Sequence, residues 1–200
     1  MHEESNFLQR QETIEINADQ KVIVCGAGGI GFHVAKMLVM NGVREIIVFD
    51  DDVFEAHNLN RIDIPVEFIG KNKAQTVERM AKMMRPNANI KGFHYRISPG
   101  LIDADTDVFI DCTDEFAVQQ KNKEVCDEKG IDWFKAGYDG LQMSINSELP
   151  SWDTGDTPDG YQITPSMCMP AIMIACLAVA RVLKYPGKEF SSDIEGVFTR

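Results

Sequence analysis

The chain has 200 residues, 44% apolar and 26% charged, with 31 acids against 20 bases and a formal charge of −11. Its length suits one domain spanning 1–200, large enough to bury roughly 70% of the surface that its unfolded chain exposes. The acidic balance argues against binding a phosphate backbone, so no nucleic acid partner is expected, and the five cysteines include no CxxC pair to seed a zinc site.

Residues 1–20 form an acidic, polar N-terminal segment without the basic start and apolar core of a secretory signal, which predicts a cytoplasmic protein. An apolar strand over 21–25 runs into Gly26-Ala27-Gly28-Gly29-Ile30-Gly31, a GxGxxG turn. The next helix is predicted over 29–40, with Val34, Leu38 and Val39 on one side and a stop at Asn41-Gly42. A second apolar strand, 45–49, ends on Asp50, nineteen residues after Gly31. In such a unit the first glycine permits the tight turn, the second lets backbone N–H groups approach phosphate, and the third allows close packing of helix on sheet. Asp50 is then placed to accept from ribose hydroxyls, and the whole reads as a nucleotide pocket.

Residues 51–70 carry turn formers with little periodicity and read as a functional loop at the carboxyl edge of the sheet. A helix over 71–84, ended by Arg85-Pro86-Asn87, and a strand over 90–97 follow. The short buried strand 107–111 delivers Cys112-Thr113-Asp114 to the same edge, and a helix over 116–129 stops at Gly130. Strands over 131–136 and 141–145 are joined by a turn at 137–140. Residues 146–163 read as a mobile loop and 164–185 as a terminal helix, with Pro186-Gly187 and an acidic tail beyond. Pro170 and Arg181 interrupt that apolar stretch, so it predicts a buried or interfacial helix and no membrane span. The alternation predicts an α/β fold: a doubly wound, Rossmann-like, mostly parallel sheet with helices on both faces.

A GxGxxG turn alone fits dehydrogenases, flavoproteins, methyl transferases and several ATP users. No Lys-Ser or Lys-Thr follows these glycines, so the turn is not a Walker A loop and phosphate cations must come from elsewhere. Arg61, within Asn58-Leu59-Asn60-Arg61, and Lys73, within Gly70-Lys71-Asn72-Lys73, fill that gap, while Asp111-Cys112-Thr113-Asp114 ends another strand.

Together these motifs resemble the ThiF/MoeB/HesA family of adenylyltransferases, akin to the adenylation half of ubiquitin-activating enzymes. The likeness runs over about 21–140, with a looser one in the final helix. It implies attack of a carboxylate on the α-phosphorus of ATP, giving an acyl adenylate and pyrophosphate. The implied acceptor is the C-terminus of a small ubiquitin-like or sulfur-carrier protein. On this resemblance Gly26, Gly28, Gly29, Gly31, Asp50, Asp52, Asn58, Arg61 and Lys73 bind the nucleotide. Asn58 donates to a phosphate oxygen, Arg61 and Lys73 clamp the phosphates, and Asp114 ligates Mg²⁺. Asp52 takes a place near the phosphates. Family dimers insert an arginine from the partner's N-terminal segment, and Arg10 is the only arginine ahead of the turn. Three positions depart from the family pattern, Ile62, Glu115 and Gln119, and the two CxxC pairs that hold zinc in many members are absent, so no structural zinc is expected.

Plainer readings stand beside these. Asp50 to Asp52 fit a solvated turn, Arg61 and Lys73 fit surface cations, and Asp114 or Thr113 fits a cap on the helix at Phe116. Cys168 is placed for a thioester or persulfide nucleophile at a helix start, but Met167, Met169, Met173 and Cys176 around it read as buried packing. Cys25 and Cys112 read as small core residues, and His2, His33, His57 and His94 are too scattered for a metal cluster. Trp152 and Tyr161 fit either gripping a peptide tail or ordinary packing. Met173, Leu177 and Val179 exceed what one exposed face tolerates and predict a homodimer. Two rival functions remain: an NAD-dependent oxidoreductase, which leaves Arg61, Lys73 and Asp114 without a task, and a degenerate module that binds nucleotide or a partner without reacting.

Overall fold

A computed structural model describes residues 7–149 and 165–198. Its central strand, β1 (Lys21–Cys25), is buried at every position. Successive side chains of a strand point to opposite faces, so Val22 and Val24 enter one apolar cluster while Ile23 and Cys25 enter another. The other strands are β2 (Glu45–Phe49), β3 (Ile90–Phe93), β4 (Val108–Asp111), β5 (Asp132–Asp139), β6 (Gln142–Asn146) and β7 (Phe190–Asp193), in the order β3-β2-β1-β4-β5-β6-β7. The first five run parallel, and β6 and β7 add antiparallel. Helices α1 (Gly31–Met40), α2 (Lys73–Met84) and α4 (Cys168–Leu183) pack on the larger cluster, α3 (Phe116–Lys129) packs on the smaller, and a short α5 (Ile194–Phe198) follows β7. The predicted doubly wound architecture is what the chain adopts.

The connections after β1 and β4 leave on opposite faces, so a crevice opens between the carboxyl ends of these neighbouring strands, where open α/β sheets bind ligands. Backbone bonds carry the ladder into this crevice: Gly26 N–H donates to Phe49 O at 2.8 Å, and Cys112 N–H to Cys25 O at 2.8 Å.

Several predicted boundaries shift for local reasons. Residues 29 and 30 belong to the turn, so α1 begins at Gly31. Asn72 accepts from Gln75 N–H at 2.9 Å and caps α2, which therefore starts at Lys73. The 51–70 loop holds two 3-10 turns, Ala56–Asn60 and Val66–Phe68. Strand β3 stops at Phe93, four residues short of the expected end, while β5 continues through the expected turn to pair Asp139 with Gln142. The hairpin thus closes over Gly140 and Leu141, with Gly140 at φ 58°, a backbone state that glycine enters without steric cost.

The terminal helix starts at Cys168, and its orientation corrects the packing reading. Cys168 and Cys176 are exposed, as are Met167 and Met169, whereas Val179 faces the core. Met173 and Leu177 are half-buried. The expected loop over 146–163, with Trp152 and Tyr161, falls largely outside the described residues. Among the described residues no helix is long and apolar enough to cross a membrane.

Candidate functional site

The glycine turn is shaped by contact with its own helix. A Cβ on Gly31 would sit 1.8 Å from Gly26 O, so the start of α1 lies directly on the end of β1. Gly26 adopts φ 89°, and a Cβ there would approach Cys112 O at 3.0 Å. Nothing lies within 4 Å of a Cβ built on Gly28, which leaves an open approach to the backbone. This is the cradle that a phosphate needs.

On the β2 side, Asp50 Oδ2 accepts from Ala27 N–H at 2.6 Å and Oδ1 from Asp52 N–H at 2.8 Å. Asp50 therefore braces the turn, and each oxygen keeps a second lone pair for a hydroxyl donor. Burial pushes its carboxyl above the usual value, against the pull of the Ala27 bond and Lys73. Lys73 Nζ meets Asp52 Oδ2 at 2.8 Å. Asn72, buried, donates from Nδ2 to the carbonyls of Asp50 and Asp52 at 2.9 and 2.8 Å. Its position just ahead of α2 is the cap signal that sequence reasoning passed over. Asp50, Asp51 and Asp52 form the one metal-capable cluster among the described residues.

Arg61 enters from the 3-10 turn. A Cβ on Gly29 would lie 3.0 Å from Arg61 Cδ and 3.3 Å from its Nε, so the side chain runs over the turn. Nη1 donates to His57 O at 3.1 Å and to Asn60 Oδ1 at 3.0 Å, and no carboxylate pairs with the guanidinium among the described residues. Buried His33 fixes the backbone through Nε2 and Arg61 O at 2.8 Å. Asn58 is buried, its Oδ1 taking Glu55 N–H at 3.0 Å to close the loop. That structural bond adds to the phosphate donation expected of its amide.

On the β4 side, the fully buried Asp111 accepts from Thr113 Oγ1 at 2.6 Å and Asn122 Nδ2 at 2.8 Å. Thr113 is thereby committed, and Glu115 occupies the cap position of α3 without a side-chain cap bond, so neither Thr113 nor Asp114 caps that helix. Asp114 is exposed and carries no hydrogen bond or ion pair among the described residues. The departures from the family pattern have places in this packing. Ile62 is core, Glu115 pairs with Arg96 Nη1 at 2.7 Å, and Gln119 is buried with Nε2 donating to Thr113 O at 2.6 Å. Arg96 also meets Asp51 at 2.8 Å, linking the loops after β2 and β4.

Lys135 was not foreseen, although a lysine set between Trp133-Phe134 and Ala136 in β5 is a signal. It stands opposite Asp111 in register, half-buried, with Cε 3.3 Å from a Cβ built on Gly137. The missing Gly137 side chain lets the lysine stem run towards the crevice. Burial pulls its ammonium below the usual lysine value, against the attraction of Asp111 and Asp114. The unfolded chain then binds that proton more readily, so wild-type stability rises with pH from the depressed folded value up to 10.5. Lys135→Met is expected to raise the thermal midpoint at neutral pH, with an advantage that shrinks towards pH 10.5. Scanning calorimetry across pH checks this, and a constant advantage would rule out the charge as its cause.

Arg10 does not join this site within its own chain. It lies exposed in the 3-10 turn Gln9–Gln11, next to Gln11, which donates to Asn41 O at 2.9 Å beyond the far end of α1. Ten residues of helix, about 15 Å, separate that end from the glycine turn.

A model of the ThiF family matches residues 7–185. Ubiquitin-like modifier-activating enzyme 5 of Drosophila persimilis is 24% identical over 197 residues, covering 91% of this chain and 48% of the relative. The enzyme of the same name from Dictyostelium discoideum is 25% identical over 181 residues, covering 83% and 45%. The chain thus spans about half the length of these relatives. Among solved structures, E. coli MccB with AMPCPP and MccA superposes at a TM-score of 0.77 and 18% identity, covering 96% of this chain and 72% of that one. MccB with ATP gives 0.72 at 19% identity, covering 94% and 66%.

Proposed function

This chain belongs to the ThiF family, and we propose that it is an ATP-dependent adenylyltransferase activating the C-terminal carboxylate of a small ubiquitin-like or sulfur-carrier protein. One observation carries this reading. Three separate stretches reach the same glycine turn: Asp50 through Ala27, Arg61 over Gly29, and the Cys112 end of β4 against Gly26. A dehydrogenase leaves Arg61 without a task, whereas adenylyl transfer has use for all three.

In this mechanism the turn's N–H groups receive the phosphates and Asp50 accepts from the ribose. Arg61, with Nε beside Gly29 and no competing carboxylate among the described residues, offers its free N–H groups to the oxygens that gain charge as the acceptor attacks the α-phosphorus. Lys73 adds positive charge from the Asp52 side. Asp114, exposed and without a hydrogen bond or ion pair among the described residues, fits Mg²⁺, which takes one or two carboxylates plus phosphate oxygens. Held there, Mg²⁺ would supply positive charge against the phosphate oxygens.

The homodimer reading is supported by apolar groups left at the surface. Met169 and Ile172 of α4, with Met40 of α1, are 48%, 38% and 56% exposed beside the exposed Cys176. Burying them in a second copy removes that surface from water, and Arg10, remote from its own site, is the candidate to complete the partner's. Five free thiols fit a reducing cytoplasm.

The test is ATP–pyrophosphate exchange with a panel of small proteins and peptides ending in a free carboxylate. Exchange is expected only with a cognate acceptor, and Asp114→Asn is expected to lower it about 100-fold. Nucleotide binding without exchange across the panel would favour the nonreacting module.

A further inference from the structure

Asn60 stands beside the arginine clamp and uses its two ends differently. Its Oδ1 accepts from Arg61 Nη1 at 3.0 Å, while its Nδ2 donates to Ser166 O at 2.7 Å, 106 residues away in sequence. Ser166 Oγ is hydrogen-bonded to the Tyr138 hydroxyl, and that hydroxyl lies 3.1 Å from a Cβ built on Gly29. Gly140 N–H donates to Pro165 O at 3.1 Å, fastening the same segment to the β5–β6 hairpin. The bonds therefore run in series from Arg61 through Asn60 and Ser166 to Tyr138, and the two ends of the series, Arg61 and Tyr138, close into a ring by packing against Gly29.

We propose that Asn60 is a positioning residue for the transfer step, holding Arg61 over the glycine turn and coupling it to the Ser166 segment that leads into α4. The inference rests on the adenylyltransferase reading. An arginine has two faces for an oxyanion, and the ring decides which one is offered. With Nη1 committed to His57 O and Asn60 Oδ1, the Nε side remains, and Nε is the nitrogen beside Gly29. Only an amide does both jobs at this length. A carboxylate still accepts from Arg61, but it presents no donor to Ser166 O and cancels the guanidinium charge. A displacement of about 1 Å at such a clamp costs on the order of 100-fold in rate.

The full chain is compared as wild type, Asn60→Asp, Asn60→Gln and Tyr138→Phe, reading kcat and KM for ATP in pyrophosphate exchange, and amide exchange at Gly140, whose N–H is held by Pro165 O of the same segment. Asn60→Asp is expected to lower kcat about 100-fold and to speed amide exchange at Gly140. Its KM for ATP and thermal midpoint are expected to stay near wild type, since Asn60 is exposed. Asn60→Gln is expected to recover part of kcat, and Tyr138→Phe to lose less than Asn60→Asp. Equal kcat for wild type and Asn60→Asp overturns the positioning role while leaving the adenylyltransferase reading intact. No exchange by the wild type defeats that reading instead. The coupling is then judged on amide exchange alone, and identical protection of the Gly140 amide in wild type and Asn60→Asp overturns it.

Discussion

Replacing Arg61 by alanine is expected to lower pyrophosphate exchange by about 100- to 1000-fold, the range seen when one preorganised donor to a developing oxyanion is removed. The thermal midpoint should hardly move. Arg61 lends its side chain to His57 O and Asn60 Oδ1, both at exposed positions, and pairs with no carboxylate among the described residues. Surface bonds of this kind contribute about 1 kcal/mol. The kinetic and stability readouts therefore separate. A large fall in midpoint with a proportionate fall in rate would show that Arg61 is structural, and retained exchange would remove it from the mechanism.

Gly31→Ala is the stability counterpart. The added methyl meets Gly26 O at 1.8 Å and Gly26 C at 2.9 Å, both backbone atoms of the turn that the helix must cross. No rotamer relieves this overlap, so α1 must lift from β1 at a cost of about 3 kcal/mol, the upper end for overpacking. For a chain of this length that corresponds to a midpoint lowered by roughly 6–12 °C, together with loss of nucleotide binding. Gly28→Ala is the control, because its Cβ would meet no atom within 4 Å. Its stability is expected within about 0.5 kcal/mol of wild type, while nucleotide affinity falls because the methyl occupies the phosphate approach. Calorimetry and titration with ATP read both variants. Equal stability for the two would contradict the packing assigned to the third glycine.

The parallel half of the fold was legible because its signals are local. A buried strand, three glycines at fixed spacing and an acid at the next strand's end each follow from neighbouring residues. The antiparallel half was harder to read. The four residues of β7 read Phe-Ser-Ser-Asp and carry no apolar alternation, and their strand exists because β6 offers a partner edge. Likewise the outward face of α4 is decided by where α1 packs, which no periodicity in 168–183 reveals. Within the site, Arg61, Lys73, Asp50 and Asp114 stood out by charge and spacing. Asn60, Tyr138 and Ser166 did not, since neutral side chains draw their roles from contacts such as the one joining Asn60 to Ser166, 106 positions apart. The double duty of Asp50 was hidden for a related reason: a carboxylate at a strand end looks the same whether it faces a sugar or a backbone amide.

Strand β7 begins at Phe190, past residue 185 where the family match stops. A fragment trimmed to that boundary would make β6 the edge strand, exchanging the short, polar Phe-Ser-Ser-Asp margin for one that carries Met143 and Ile145, a more adhesive hem for any extended polypeptide it met. Residues 190–193 thus act as a selvedge, and expression boundaries drawn at the family match alone invite clumping that has nothing to do with catalysis.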